Sequence, residues 1–99
     1  MKRTLVRYRT KPEKAQENQR LIEKVFEELH AKSPEGLRYL ALRLGDGTFV
    51  HFVSVEDGAA SVTALDAFRI FQGEIKERCA EPPQAGEATI VGNYRMLDT

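Results

Sequence analysis

Proton transfer near neutral pH needs a side chain that titrates there, and the chain offers two histidines and one cysteine for the purpose. His51 is the more suggestive histidine, set among Phe49, Val50, Phe52 and Val53. A free imidazole titrates near about 6.5, and apolar surroundings favour its neutral form. His51 is therefore the candidate catalytic residue, a base able to deprotonate a phenolic substrate in a pocket between sheet and helices. The plainer alternative is a histidine packed in a sheet or an interface with both ring nitrogens satisfied, because no acidic neighbour in sequence orients it. Arg7 sits within the basic strip Lys2, Arg3, Arg7, Arg9 and Lys11, which precedes the first acidic residue, Glu13. A guanidinium there suits a carboxylate or phosphate, and the alternative is ion pairing with acidic residues elsewhere. Tyr39 and Tyr94 are candidates for hydrogen bonding to a substrate, or else packed aromatics with satisfied hydroxyls. His30 falls at the end of a helical stretch and suits terminal carbonyls. Cys79 reads as an inert thiol.

These residues must be positioned by local structure. Residues 3–10, "RTLVRYRT", alternate as a strand, with Val6 and Tyr8 on one face and Arg7 and Arg9 on the other. "TKPE" then opens a helix, with Thr10 as the cap, Pro12 in the first turn and Glu13 three residues after the threonine. Leu21, Ile22, Val25, Phe26 and Leu29 follow at helical spacing. "SPEG" at 33–36 ends the helix, and "LRYLALRL" at 37–44 gives a second strand. Asp46-Gly47 is a favoured hairpin pair, so the stretch "GTFVHFVSVEDG", 47–58, is the returning strand. A second helix is predicted over roughly 59–80, with Leu65, Phe68, Phe71, Ile75 and Cys79 close to one face and no clean cap at its start. Pro82-Pro83 should stop it, and "EATIVGNYRML", 87–97, reads as the last strand, carrying Tyr94. The order βαββαβ predicts one α+β domain over 1–99: a ferredoxin-like, four-stranded antiparallel sheet with two helices on one face.

Composition narrows the function classes. Fifteen basic and fifteen acidic side chains cancel, which argues against nucleic acid or an anionic membrane as partner. No apolar run is long enough to span a bilayer. "MKRTLVRYRTKPEK" lacks the apolar core of a secretory signal, and a single cysteine cannot form an internal disulfide. The expectation is a cytoplasmic domain. One thiol and two histidines also argue against a zinc site within one chain.

The returning strand says more. In this plan one sheet face meets helices and the other meets solvent, so residues should alternate apolar and polar. Here Phe49, His51, Val53 and Val55 form one face while Val50, Phe52 and Ser54 form the other, and both are largely apolar. A second copy packed sheet against sheet is the simplest cover, so a homodimer is predicted.

Three stretches carry a family likeness: "RYRTKPEKAQE" leading into the first helix, the hairpin "GLRYLALRLGDGTFVHFVSVEDGAA", and within it Gly36-Leu37-Arg38-Tyr39-Leu40 and Val55-Glu56-Asp57. With the βαββαβ order, these resemble the antibiotic-biosynthesis monooxygenase-like superfamily of dimeric α/β barrels, closest to its small one-domain members. The resemblance implies a homodimer and small-molecule binding. It extends to oxidation of a phenolic or polyketide-like compound without metal or flavin, because in such chemistry the substrate itself supplies electrons to oxygen. The tryptophan that often ends this strand in the family has no counterpart; Val55 sits near its place. Leu5 falls near the asparagine of the haem-degrading branch, and the second helix has no histidine, so haem degradation is disfavoured. The alternative is a dimer that binds a small hydrophobic or aromatic ligand, or supports an assembly, without turnover. An RNA-recognition module shares the element order but requires a glycine-aromatic pattern missing here. An acylphosphatase requires a glycine-rich loop after the first strand, where "RTKPEK" has no glycine.

Overall fold

The computed structural model describes residues 1–97. Strand β1 (Lys2–Thr10) leads through a 3-10 turn (Pro12–Lys14) into helix α1 (Ala15–Lys32). The hairpin β2 (Leu37–Arg43) and β3 (Thr48–Val55) follows, then a 3-10 turn (Val62–Ala64), helices α2 (Asp66–Gly73) and α3 (Ile75–Arg78), and strand β4 (Cys79–Glu87). The sheet is four-stranded and antiparallel in the order β2-β3-β1-β4. This is the ferredoxin-like α+β plan expected from the sequence. Among the described residues no helix is long and apolar enough to cross a membrane.

Register decides which residues share a face. His51 lies opposite Val6 of β1 and Ala41 of β2, and Phe49 lies opposite Tyr8. Helices α1 and α2 pack on that face: Phe71 stands 5.5 Å from the His51 ring and Phe26 stands 5.0 Å from the Tyr39 ring, centroid to centroid. The core is built there from Tyr8, Phe49, Ile22, Val25, Leu65, Phe68 and Phe71. On the opposite face, Leu5, Phe52 and Leu40 align across three strands, as do Arg7, Val50 and Leu42. No helix covers them, and Leu5, Leu40 and Leu42 are 39%, 40% and 52% exposed. The two-sided apolar character of β3 is therefore real. The segment 88–97 supplies part of the cover by placing Ile90, Met96 and Leu97 over one end of this open face.

The capping expected of Thr10 is not what the structure contains. The turn at Pro12 starts from Lys11 with no side-chain cap, and Thr10 instead holds the β2–β3 hairpin, its N–H donating to the Gly47 carbonyl at 3.0 Å. Gly47 itself has φ +87°, which the hairpin turn requires. The second helix starts without a cap of its own because α1 lends one: Glu28 accepts the backbone N–H of Ala67 at 2.8 Å and that of Asp66 at 3.3 Å. The Lys32 ammonium and these N–H groups hold the Glu28 carboxyl below the usual carboxylate range.

Two sequence expectations fail at the end of the chain. The predicted helix over 59–80 is three short pieces, and its last residues already belong to β4. Pro82-Pro83 do not stop a helix; they lie inside β4. A proline lacks the N–H that a ladder needs, but β4 is an edge strand paired only with β1, and its pairing shifts register beside Arg9. The strand expected over 87–97 is absent beyond Glu87, because residues 79–87 already occupy the free edge of β1. One further bond, from the Ala88 N–H to the Arg3 carbonyl at 2.9 Å, ends the ladder. Tyr94 is thus not in a strand, and it is 79% exposed.

Candidate functional site: a buried histidine and an apolar cleft

His51 is 4% exposed, and a phenol meets each of its ring nitrogens. Tyr8 and Tyr39 are diagonal neighbours of His51 on the flanking strands, two residues from its directly paired partners Val6 and Ala41. Long side chains bridge such diagonals. Nε2 lies 2.9 Å from the Tyr8 hydroxyl and Nδ1 lies 2.6 Å from the Tyr39 hydroxyl. The Tyr8 oxygen also accepts the side-chain amide of Asn18 at 2.8 Å. Asn18 is fully buried, and its own oxygen accepts Nε–H of Arg78 at 3.0 Å. Arg78, 3% exposed, donates again to the Phe71 carbonyl at 2.5 Å and lies over the Phe71 ring.

The direction of these bonds follows from donor and acceptor counts. Arginine only donates, so the Asn18 atom facing it is oxygen and the atom facing Tyr8 is the amide nitrogen. Tyr8 therefore accepts from Asn18 and must place its own proton on Nε2; otherwise a buried hydroxyl donor is left unpaired. His51 then carries its proton on Nδ1 and donates it to Tyr39. The donors run one way, from Arg78 through Asn18, Tyr8 and His51 to Tyr39.

Burial pushes the His51 imidazolium down to a pKa of about 4, so the ring is neutral at pH 7. Burial also pushes both phenols well above their ordinary value; for Tyr8 the Asn18 hydrogen bond works in the opposite direction. This constellation can hold a neutral imidazole in one tautomer and present one phenolic hydroxyl. The thiol of Cys79 is half-buried and raised by desolvation, which keeps it protonated and unreactive. Among the described residues no group of three or more histidine, cysteine, aspartate or glutamate side chains could hold a metal ion.

A second feature lies on the other side of the sheet. Between the open face and the segment 88–97 is a cleft of about 590 Å3, walled by Leu40, Phe52, Ile90, Met96 and Leu97, with Arg3, Arg38, Tyr39, Ser54 and Glu56 among its polar lining residues. The volume lies in the range of small-molecule sites.

Of the residues singled out from the sequence, the structure brings His51 and Tyr39 together and leaves the other two apart from them. Arg7 is exposed on the open face, between Val50 and Gln84. Tyr94 projects from the segment 88–97, with the Arg95 guanidinium over its ring. Asn18 and Arg78 were not singled out, although a signal existed. Asn18 continues the buried positions Ala15, Ile22 and Val25 of α1, and Arg78 continues Phe68, Phe71 and Ile75 at spacings of three and four. A polar residue at an apolar-stripe position is the mark of a buried polar contact.

Similar folds occur in solved structures of low sequence identity. A candidate antibiotic biosynthesis monooxygenase from Bacteroides thetaiotaomicron superposes with a TM-score of 0.77 at 14% identity, over 98% of this chain and 95% of that one. A candidate antibiotic biosynthesis monooxygenase from Nitrosomonas europaea gives 0.73 at 16% identity, over 91% and 89%. Rv0793 from Mycobacterium tuberculosis gives 0.71 at 12% identity, over 93% and 96%. The chain has the fold of these proteins. No protein-family profile matches the sequence, and no curated protein matches it.

Proposed function

We propose that the chain works in the cytoplasm as a homodimer, joined through the open face of its sheet, and binds a small apolar or aromatic molecule in the cleft at one end of that face. The observation that carries this reading is the half-covered face itself. Ile90, Met96 and Leu97 roof one end and enclose the cleft, while Leu5 and Leu42 stay exposed beside it. A contiguous apolar patch of this kind usually marks an interaction surface. In the dimer Arg7 meets the partner's surface, so its role is across the interface. Tyr94, on the exposed side of 88–97, likewise faces the partner.

Light scattering during gel filtration tests the reading. The wild-type protein should elute with twice the single-chain mass. Leu42→Glu should weaken the dimer by about 30-fold or more, because a buried charge replaces an anchoring leucine. The position is half exposed in one chain, so the variant keeps the fold. A wild-type monomer would overturn the dimer.

A second reading, oxidation of a phenolic or polyketide-like compound without a cofactor, is favoured by one observation, the bond between Tyr39 and neutral His51. The names of the Nitrosomonas and Bacteroides relatives in fold point the same way. In that reading His51 is the proton-transfer residue and Tyr39 hydrogen-bonds the substrate oxygen. Purified protein should then consume oxygen when a polyphenol is added, and absence of uptake over a panel of polyphenols would leave the binding reading alone.

A further inference from the structure

The buried chain of donors ends on a hydroxyl whose own proton is still to be placed. Tyr39 accepts Nδ1–H of His51, so its proton cannot point at that ring. Among the described residues the hydroxyl meets no other hydrogen-bond partner. A half-buried hydroxyl proton in that position goes to water or to a ligand.

The other end of the chain holds a charge. Arg78 is 3% exposed, yet its acceptors are neutral, the Asn18 oxygen and the Phe71 carbonyl. Among the described residues no carboxylate pairs with it, although buried charges are normally paired. The positive end therefore stands behind the Asn18 amide, and hydrogen bonds in series polarise one another along the direction they run. The last donor, the Tyr39 hydroxyl, is strengthened toward an oxygen that bears negative charge.

Direction turns on Asn18. An amide offers one acceptor and one donor group; Arg78 occupies the oxygen and leaves the N–H for Tyr8. A carboxylate in the same place could only accept. Tyr8 would then donate to it, Nε2 of His51 would carry the ring proton, and Nδ1 would accept from Tyr39.

We infer that Asn18, backed by Arg78, is a positioning residue that turns the Tyr39 hydroxyl proton outward, so that the ligand oxygen meeting it is an acceptor: a carbonyl or a phenolate, not the O–H of a neutral phenol. The inference rests on the second reading, in which Tyr39 touches the ligand oxygen. His51 serves that reading from the donor side, because Nδ1 is already protonated and Nε2 is occupied by Tyr8.

Long-range proton–nitrogen correlation spectra of the free protein read the direction without any ligand. His30→Gln leaves His51 as the single imidazole. At pH 7 its Nδ1 should be pyrrole-like and its Nε2 pyridine-like, and Asn18→Asp should exchange the two. A wild-type ring protonated on Nε2 would overturn the inference. So would a ring still protonated on Nδ1 in folded Asn18→Asp, the result expected of a merely structural Asn18. The ligand is tested with 4-nitrophenol, whose phenolate is yellow and whose neutral form is colourless. At a pH where the free dye is half ionised, the bound dye should be enriched about tenfold in phenolate, the effect of one charge-assisted hydrogen bond. Tyr39→Phe should abolish the enrichment. Bound dye enriched in the neutral phenol, or enrichment that survives Tyr39→Phe, would overturn the acceptor assignment. Failure of the dye to bind would overturn the second reading and the ligand class with it, while the ring nitrogens still decide the direction. The wild-type ring needs no change at position 18, so it decides even if Asn18→Asp fails to fold.

Discussion

Tyr8→Phe should destabilise the protein by about 3 kcal/mol or more, although it deletes a single oxygen atom. That oxygen serves two buried groups: it accepts the Asn18 amide and donates to Nε2 of His51. With Asn18 fully buried and His51 at 4% exposure, water cannot replace it, and each orphaned group costs about 1–3 kcal/mol. In a domain of this size such a loss lowers the melting temperature by roughly 15 °C. Tyr39→Phe is the matched control. It removes the hydroxyl at the other nitrogen of the same ring, but Tyr39 is only half-buried, so solvent can take part of the lost bond. The expected cost there is about 1 kcal/mol. Thermal unfolding of the two variants side by side measures the difference. Equal losses would mean that the Tyr8 hydroxyl is not the inner junction of the chain.

Acid should destabilise the protein through His51. The folded ring titrates at about 4, whereas the unfolded chain's histidine titrates near 6.5. Between those values the unfolded state binds a proton that the folded state refuses, so stability falls as pH falls. The loss begins near pH 6.5, is complete below about 4, and amounts to about 3 kcal/mol. Carboxylates titrate toward the lower end of the same window, so the informative quantity is a difference. Urea unfolding of wild-type protein and of His51→Gln at pH 7 and pH 5 should show the wild type losing about 2 kcal/mol more than the variant over that interval. Parallel losses would show that His51 takes up its proton in the folded state as readily as in the unfolded chain.

The sequence foretells the frame of this molecule better than its polar interior. The alternation in β1, the apolar stripe of α1 and the Asp46-Gly47 turn are local signals, and each element forms close to where those signals put it. The end of the chain misleads for a physical reason. Pro82-Pro83 are breakers in a helix and in a central strand, but not on an edge, and edge position is a property of the assembled sheet. Residues 87–97 are rich in strand-forming types, yet residues 79–87 take the edge of β1 that they would need. The histidine cluster was visible only in part. His51 and Tyr39 stood out by type, but their meeting depends on the β2–β3 register, and the links to Asn18 and Arg78 cross from sheet to helices.

The one-way order of the buried hydrogen bonds has a consequence for how protons could travel. A proton wire must be refilled from behind, each group passing on one proton and receiving another. Here the rear of the chain is closed. Behind Tyr8 stand only hydrogen-bond donors, the Asn18 amide and the Arg78 guanidinium, and an amide N–H does not hand a proton forward. Tyr8, His51 and Tyr39 are therefore a sealed reservoir with one mouth, at the half-buried Tyr39 hydroxyl. Whatever proton leaves through that mouth has to come back through it before the cluster can act again.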